Sequence, residues 1–252
     1  MHPSGIGSNR VAVLIPARRA SQRLPDKLLL AEHGEPLLAT AAKRAAKAFG
    51  PEAVLVCADD QALIDAVRPC GLRAVMTRPD HGSGTDRIAE AAATIDAGII
   101  VNVQGDEPEM EAAHIRLVAD LLVRHPWAGM ATLVVPGDVR TQANPNQVKA
   151  VLGHEGRVLW FTRAPAVFDR DSGAPLTTCH RHLGIYAYRR EVLLGYVGLP
   201  PSPLEQCEKL EQLRALAAGI GIAAAVVDHA AVGIDTRADY DAFLARTGKP
   251  QP

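Results

Sequence analysis

Four cations crowd one short stretch of this chain. Arg18, Arg19, Arg23 and Lys27 stand close together, with Ser21 and Pro25 among them and no acid before Asp26. Arginine forks match phosphate oxygens two at a time, and a lysine ammonium adds a point charge to the same group. Such a stretch suits anion binding; the competing reading is a solvated basic turn. Its place directly after the apolar run Val11–Ile15 favours the anion site. A second cluster, His81-Gly82-Ser83-Gly84-Thr85-Asp86, combines glycines that permit close backbone approach with hydroxyls just ahead of a helical pattern. A third, Gln104-Gly105-Asp106-Glu107-Pro108, sets two carboxylates in a turn behind Ile99–Val103. There Asp106 suits a Mg²⁺ shared with phosphate oxygens, and Glu107 suits a cap for the following helix. Asp235, in Gly233-Ile234-Asp235-Thr236, supplies a second aspartate, and the pair can hold one or two Mg²⁺ ions. Further on, Arg163, His180, Arg181, His182 and Tyr186, with Glu205, Glu208, Glu211 and Gln212, offer polar groups for a hydroxylated, anionic acceptor.

The elements that must carry these clusters alternate. Buried strands are expected at Val11–Ile15, Ala53–Ala58, Leu72–Thr77 and Ile99–Val103, with a fifth at Ala131–Val135. Near-continuous apolar runs of this kind mark strands covered on both faces. Between them Pro36–Phe49, Gln61–Val67, Ile88–Ile95 and Ala112–Arg124 read as helices. Strand–helix alternation predicts a parallel sheet with right-handed crossovers, and ligands of open α/β sheets sit beyond the carboxyl ends of the strands. Past Pro136 the pattern changes. Val148–Leu152 and Arg157–Thr162 read as an antiparallel hairpin, Ala164–Cys179 as a mobile loop, Pro203–Ala218 as one helix and Arg237–Ala245 as the last. The expected organisation is a disordered lead-in over residues 1–10 and a single domain over 11–252, with a smaller mixed lobe at about 137–200.

Composition removes several classes. At 48% apolar and 22% charged, the 252 residues can build a sizeable core. A net charge of −1 leaves the basic stretch a local feature, and only 4% aromatic residues argues against a stacking surface for nucleic acid. The four cysteines form no CxxC, which predicts reduced thiols, and no apolar run is long enough to span a bilayer. A cytoplasmic protein without nucleic-acid or membrane partners is expected. The chain carries no GxGxxG after its first strand and no GxxxxGK[ST], which argues against a nicotinamide oxidoreductase and against a P-loop NTPase.

Taken together, IPARRASQRLPDK at Ile15–Lys27, TRPDHGSGTDRIAE at Thr77–Glu90, VNVQGDEP at Val101–Pro108 and RHLGIYAYR at Arg181–Arg189 resemble the 3-deoxy-manno-octulosonate (Kdo) cytidylyltransferases, as do PSPLEQCEKLEQLR and GIDT. The resemblance runs in order over about residues 11–245. It implies a Rossmann-like nucleotidyltransferase fold, CTP as co-substrate, Mg²⁺, a homodimer, and transfer of CMP to Kdo with release of pyrophosphate, a step of lipopolysaccharide precursor synthesis. By motif position it implies that Arg18, Arg23 and Lys27 hold the nucleotide's phosphates, with Arg78, Ser83, Gly84 and Thr85 near the cytidine. Asp106 and Asp235 would ligate Mg²⁺, and with Arg18 and Lys27 they form the implied catalytic set. Gln104, Arg163, His182, Tyr186, Glu211 and Gln212 would line the acceptor pocket, with Arg19 as an added cation. The chain departs from the family pattern at Arg19, Asp26 and Leu28, where an aromatic, a glycine and a proline are usual, and at Ala166-Val167. Those departures keep open a small phosphonate acceptor such as phosphonoformate. A non-catalytic nucleotide-binding regulator is the alternative of another class, and retention of Lys27 with both aspartates argues against it.

Overall fold

The computed structural model describes residues 10–171, 173–175 and 179–248. Of the expected lead-in, all but Arg10 lies outside them. The chain divides into two compact units, the first ending at Arg116 and resuming at Ala231, the second spanning Leu117–Ala230.

In the first unit, β1 (Val11–Ala17), β2 (Val54–Ala58), β3 (Arg73–Met76) and β4 (Ile99–Asn102) pair in the order β4-β1-β2-β3, every pair parallel. All five residues of β2 are buried, the pattern of an interior parallel strand, whereas β3 at the edge buries none of its residues fully. The chain lays β2 and β3 successively on one side of β1, then returns to place β4 on the other. That reversal is a topological switch point, and it opens a crevice beyond the carboxyl ends of β1 and β4. Helix α1 (Leu37–Phe49) buries Leu37, Leu38, Ala41, Ala42 and Ala45, and ends at Gly50 (φ +88°) before Pro51. Helix α2 (Gln61–Val67) is capped by Asp60, whose side chain accepts from the Ala62 N–H. Helix α3 (Gly84–Ala92) starts four residues earlier than its hydrophobic pattern predicts, because Ser83 caps it through the Asp86 N–H. Helix α4 (Ala112–Arg124) has the expected bounds.

The second unit is mixed. Strand β5 (Met130–Pro136) pairs parallel with β11 (Ile222–Val226) and antiparallel with β10 (His180–Arg189), and β10 pairs antiparallel with β6 (Lys149–Leu152). β6 and β7 (Val158–Thr162) form the expected hairpin. A mostly parallel sheet with antiparallel strands is what the sequence predicts. Several details differ from it. Short helices α5 (Val139–Ala143) and α6 (Arg190–Tyr196) appear where none is expected. In the expected loop at 164–179, β8 (Phe168–Asp169) pairs with β9 (Ala174–Pro175), while residues 172 and 176–178 lie outside the described set. The single helix expected over Pro203–Ala218 divides into α7 (Pro203–Glu208) and α8 (Gln212–Ala217), because Lys209 takes a left-handed conformation at φ +53°.

The last helix, α9 (Arg237–Thr247), returns to the first unit. It buries Tyr240, Phe243 and Leu244 against Leu24, Leu37 and Ile234. Thr236 and Asp239 form a capping box at its start, which fixes the backbone directly after Asp235.

Candidate active site

A cavity of about 540 Å³ opens at the switch point of the first unit. Its walls are the loop after β1, the turn before α3, the turn after β4, and Asp235. Of the nucleotide, metal and acceptor residues expected from the sequence, Arg18, Arg23, Lys27, Ser83, Gly84, Gln104, Asp106 and Asp235 line this one space. Arg19, Arg78 and Thr85 do not. Arg19 donates from Nε to Asp26 (3.0 Å) and from Nη1 to Asp60 (3.1 Å). Arg78 is exposed beside Asp80 and Glu90, and Thr85 is buried inside the first turn of α3. Gly84 has a steric reason: a Cβ there would stand 3.2 Å from the Pro16 ring, so a side chain would press α3 away from the end of β1.

At the floor of the cavity sits Lys27, 9% exposed. Its Nζ donates to Asp106 Oδ2 at 2.6 Å and to Asp235 Oδ1 at 3.1 Å. Arg23 reaches the same Asp235 oxygen at 2.9 Å. The Ile234 N–H donates to the Asp106 carbonyl at 2.9 Å, which ties together the two segments that carry the aspartates. Glu107, expected as a helix cap, instead has a buried Oε2 with no hydrogen-bond partner. Loss of hydration, followed by the nearby Asp106 and Asp235 charges, pushes its pKa up to about 8. Two aspartates converging on one ammonium, with an unsatisfied carboxyl oxygen behind them, form an all-oxygen donor set. That set fits a hard divalent cation such as Mg²⁺.

The remaining acceptor residues lie in the second unit. The β10–β5 pairing slips between His182 and Tyr186, a bulge across which the two rings stand 5.2 Å apart. The hydroxyl of Thr132 donates toward the bulge carbonyls of Ile185 (2.8 Å) and Leu183 (3.2 Å). Having one proton, which goes to the carbonyls, Thr132 Oγ1 accepts from His182 Nε2 at 3.1 Å, which places a hydrogen on Nε2. Loss of hydration between Phe161 and Tyr186 pushes the His182 pKa down to about 3. The Tyr186 hydroxyl is buried without a partner, and the same loss of hydration raises its pKa. Arg163 is committed to its own backbone frame, donating from Nε to the Glu208 carbonyl (2.7 Å) and from Nη1 to the Pro145 carbonyl (3.0 Å). Lys149, fully buried, donates to the carbonyls of Asn144 and Gln147, each at 2.9 Å, and to that of Arg163. Gln212 is buried at the start of α8, and the carbonyl of Glu211 accepts from Tyr196 Oη at 2.7 Å.

Glu208, offered to the acceptor by the sequence, turns its carboxylate to the Thr162 hydroxyl at 2.6 Å and the Arg163 N–H at 2.8 Å. Sequence reasoning passed over Arg87 and Asp59 as site residues. An arginine on the apolar side of α3, and an aspartate doubled beside the true cap Asp60, are the signals that could have found them.

A parallel sheet whose switch point holds clustered cations and paired aspartates is the frame of a nucleotidyltransferase. A family profile described as Cytidylyltransferase matches residues 12–222. The chain is 46% identical over 250 residues to a 3-deoxy-manno-octulosonate cytidylyltransferase of Rhodospirillum centenum, covering 94% of each. A solved CMP:2-keto-3-deoxy-manno-octonic acid synthetase, complexed with CTP, superposes with a TM-score of 0.89 at 38% identity, covering 94% of this chain and 98% of that one. A cytidylyltransferase of Leptospira borgpetersenii shares the fold at a TM-score of 0.63 and 18% identity, over 94% and 87% of the two chains. The chain belongs to the cytidylyltransferase family, among the 3-deoxy-manno-octulosonate cytidylyltransferases.

Proposed function

We propose that this enzyme transfers CMP from CTP to Kdo, releasing pyrophosphate, with Mg²⁺ as its metal. The observation that carries the reading is Lys27, held between Asp106 and Asp235 at the floor of a cavity lined by Arg18 and Arg23. The acceptor's hydroxyl oxygen attacks the α-phosphorus in line, and the bond to pyrophosphate breaks. Such a transfer depends on positioning and charge neutralisation more than on a protein nucleophile. Arg18 and Arg23 bind the triphosphate oxygens. Lys27 neutralises the charge that builds on the departing pyrophosphate. Asp106 and Asp235 would hold Mg²⁺, which when bound supplies further neutralisation of the phosphate oxygens. Ser83, Gly84 and the first turn of α3 are assigned to the nucleoside, with the Ser83 hydroxyl, engaged with Asp86 at 3.0 Å, shaping that turn. The family resemblance assigns His182, Tyr186, Glu211 and Gln212, and separately Gln104, to the acceptor; Arg163, assigned there too, serves as a frame through its bonds to the Glu208 and Pro145 carbonyls. The unpartnered Tyr186 hydroxyl supports this, since a buried hydroxyl without a bond is well suited to take one from a ligand.

The family resemblance further supports a homodimer working in the cytoplasm. No helix among the described residues is long and apolar enough to cross a membrane. The test is pyrophosphate release from CTP and Mg²⁺, with Kdo and phosphonoformate offered in parallel. Turnover with Kdo, abolished by EDTA, is the expected result. Turnover with the phosphonate alone would overturn the acceptor, and CTP binding without any pyrophosphate would overturn catalysis itself.

A further inference from the structure

The buried pair Arg87–Asp59 touches neither aspartate of the cavity floor, yet it joins two walls of the cavity. Arg87, its side chain 4% exposed, donates from Nη1 to Thr77 Oγ1 (2.7 Å) and the Arg78 carbonyl (3.2 Å), and from Nη2 to Asp59 Oδ2 (3.1 Å). The other oxygen of that carboxylate, Oδ1, accepts the backbone N–H of Arg19 at 2.9 Å. One aspartate thereby spans from α3 to the loop after β1. The grip continues along that loop. Arg19 holds Asp26 and Asp60, and Asp26 sits at φ +50°, directly before Lys27. Arg87 itself lines the cavity, whereas Asp59, Asp60, Arg19 and Asp26 do not, so the influence of these four passes through the loop backbone. A buried ion pair is a poor source of stability, because desolvation offsets its attraction. Its merit is geometric: a bidentate carboxylate fixes two donors at once.

We infer that Asp59 and Arg87 are positioning residues for the nucleotide, holding the 18–27 loop in the form that presents Arg18, Arg23 and Lys27 to the triphosphate. This rests on the reading of the cavity as the CTP site. It makes the pair specific to the nucleotide half of the reaction: its loss weakens the handling of CTP and leaves the affinity for the acceptor unchanged.

The test is steady-state kinetics of the full-length enzyme with Asp59→Asn, Asp59→Glu and Arg87→Lys, alongside calorimetric titration of the unaltered enzyme with CTP. Asparagine keeps the shape of aspartate, but its amide nitrogen cannot accept from a second donor. The expected result is a KM for CTP raised about tenfold in D59N, a KM for Kdo within twofold of the unaltered enzyme, and partial recovery of the CTP value in D59E. R87K, which keeps the charge and loses the fork, shifts the same constant; because Arg87 lines the cavity and Asp59 does not, D59E stands in for D59N should that variant fail to fold. CTP constants unchanged in folded D59N and R87K overturn the inference while leaving the function intact. A uniform fall in all constants that tracks a lowered Tm marks the pair as merely structural and also overturns it. Failure of the unaltered enzyme to bind CTP overturns the reading of the cavity, and this inference with it.

Discussion

Lys27 is placed to do two things that the same charge permits. Before any ligand arrives, its ammonium balances Asp106 and Asp235, which would otherwise repel each other at the bottom of a cavity. On the proposed reaction, the same group would lie where negative charge collects once a triphosphate is present. Lys27→Met therefore removes a counter-charge from both states. We expect kcat to fall by about 10²–10³-fold, the usual range for losing one well-placed electrostatic group, with soluble, folded protein; a loss under threefold would remove Lys27 from the mechanism. His182 gives a second test at this scale. With a folded pKa of about 3 against about 6.5 unfolded, the native state cannot take the proton that the unfolded chain binds. The contribution is complete above pH 6.5 and is lost as pH falls from there toward 3. His182→Gln keeps a donor for Thr132 and does not titrate. Urea unfolding should show that the variant escapes about 2 kcal/mol of the loss suffered between pH 6.5 and 5. The depressed carboxylates Asp60, Glu90 and Glu205 weaken the fold at lower pH, and Glu107, held up at about 8, acts in the opposite sense through this window; both contributions are shared by the two proteins and cancel in the comparison. Equal slopes for the two proteins would show that His182 is not held neutral.

At the scale of elements, the break between α7 and α8 has one cause that can be tested without touching the site. Lys209 is exposed and sits at φ +53°, a conformation that costs a side-chain-bearing residue roughly 1–2 kcal/mol and glycine nothing comparable. Lys209→Gly should raise stability by about 1 kcal/mol, or Tm by about 2–4 °C in a chain of this size. A lowered Tm would mean that the lysine stem contributes more than the backbone strain takes away. The break also shows where periodicity stops being informative. Leu204, Leu210 and Leu213 keep helical spacing across Lys209, so the pattern reads as one helix although the backbone turns between them. Ser83 misleads in the opposite sense. Its cap starts α3 at Gly84, before any apolar repeat is visible, and a segment expected as a polar loop becomes the helix's first turn. By contrast β1, β2, β4 and the hairpin β6–β7 were legible, because interior strands and tight reversals are decided by local residue types.

For the chain as a whole, what the sequence could not express is strand order. Nothing in the runs Val11–Ala17 and Ile99–Asn102 says that they are neighbours, and yet the cavity exists because β4 returns to the far side of β1. The site was legible as a set of segments at strand ends. The partnership of Asp59 with the Arg19 backbone was not, since it joins residues forty positions apart through a single carboxylate. A cavity assembled from such distant segments has a consequence for the stability of the protein. In the unfolded chain the loop after β1, the turn after β4 and Asp235 are far apart, so CTP binds the native state alone and must stabilise it by mass action. At a concentration one hundred times its dissociation constant, CTP with Mg²⁺ should add about 2.7 kcal/mol, a rise in Tm of roughly 5–10 °C. EDTA should remove much of that gain, because the triphosphate would then face Asp106 and Asp235 without a divalent cation between them. A thermal scan with CTP, with CTP and Mg²⁺, and with CTP, Mg²⁺ and excess EDTA separates the two contributions. An equal shift in the first and second arms would mean that Arg18, Arg23 and Lys27 suffice for the nucleotide and that the aspartates serve the lysine rather than a metal.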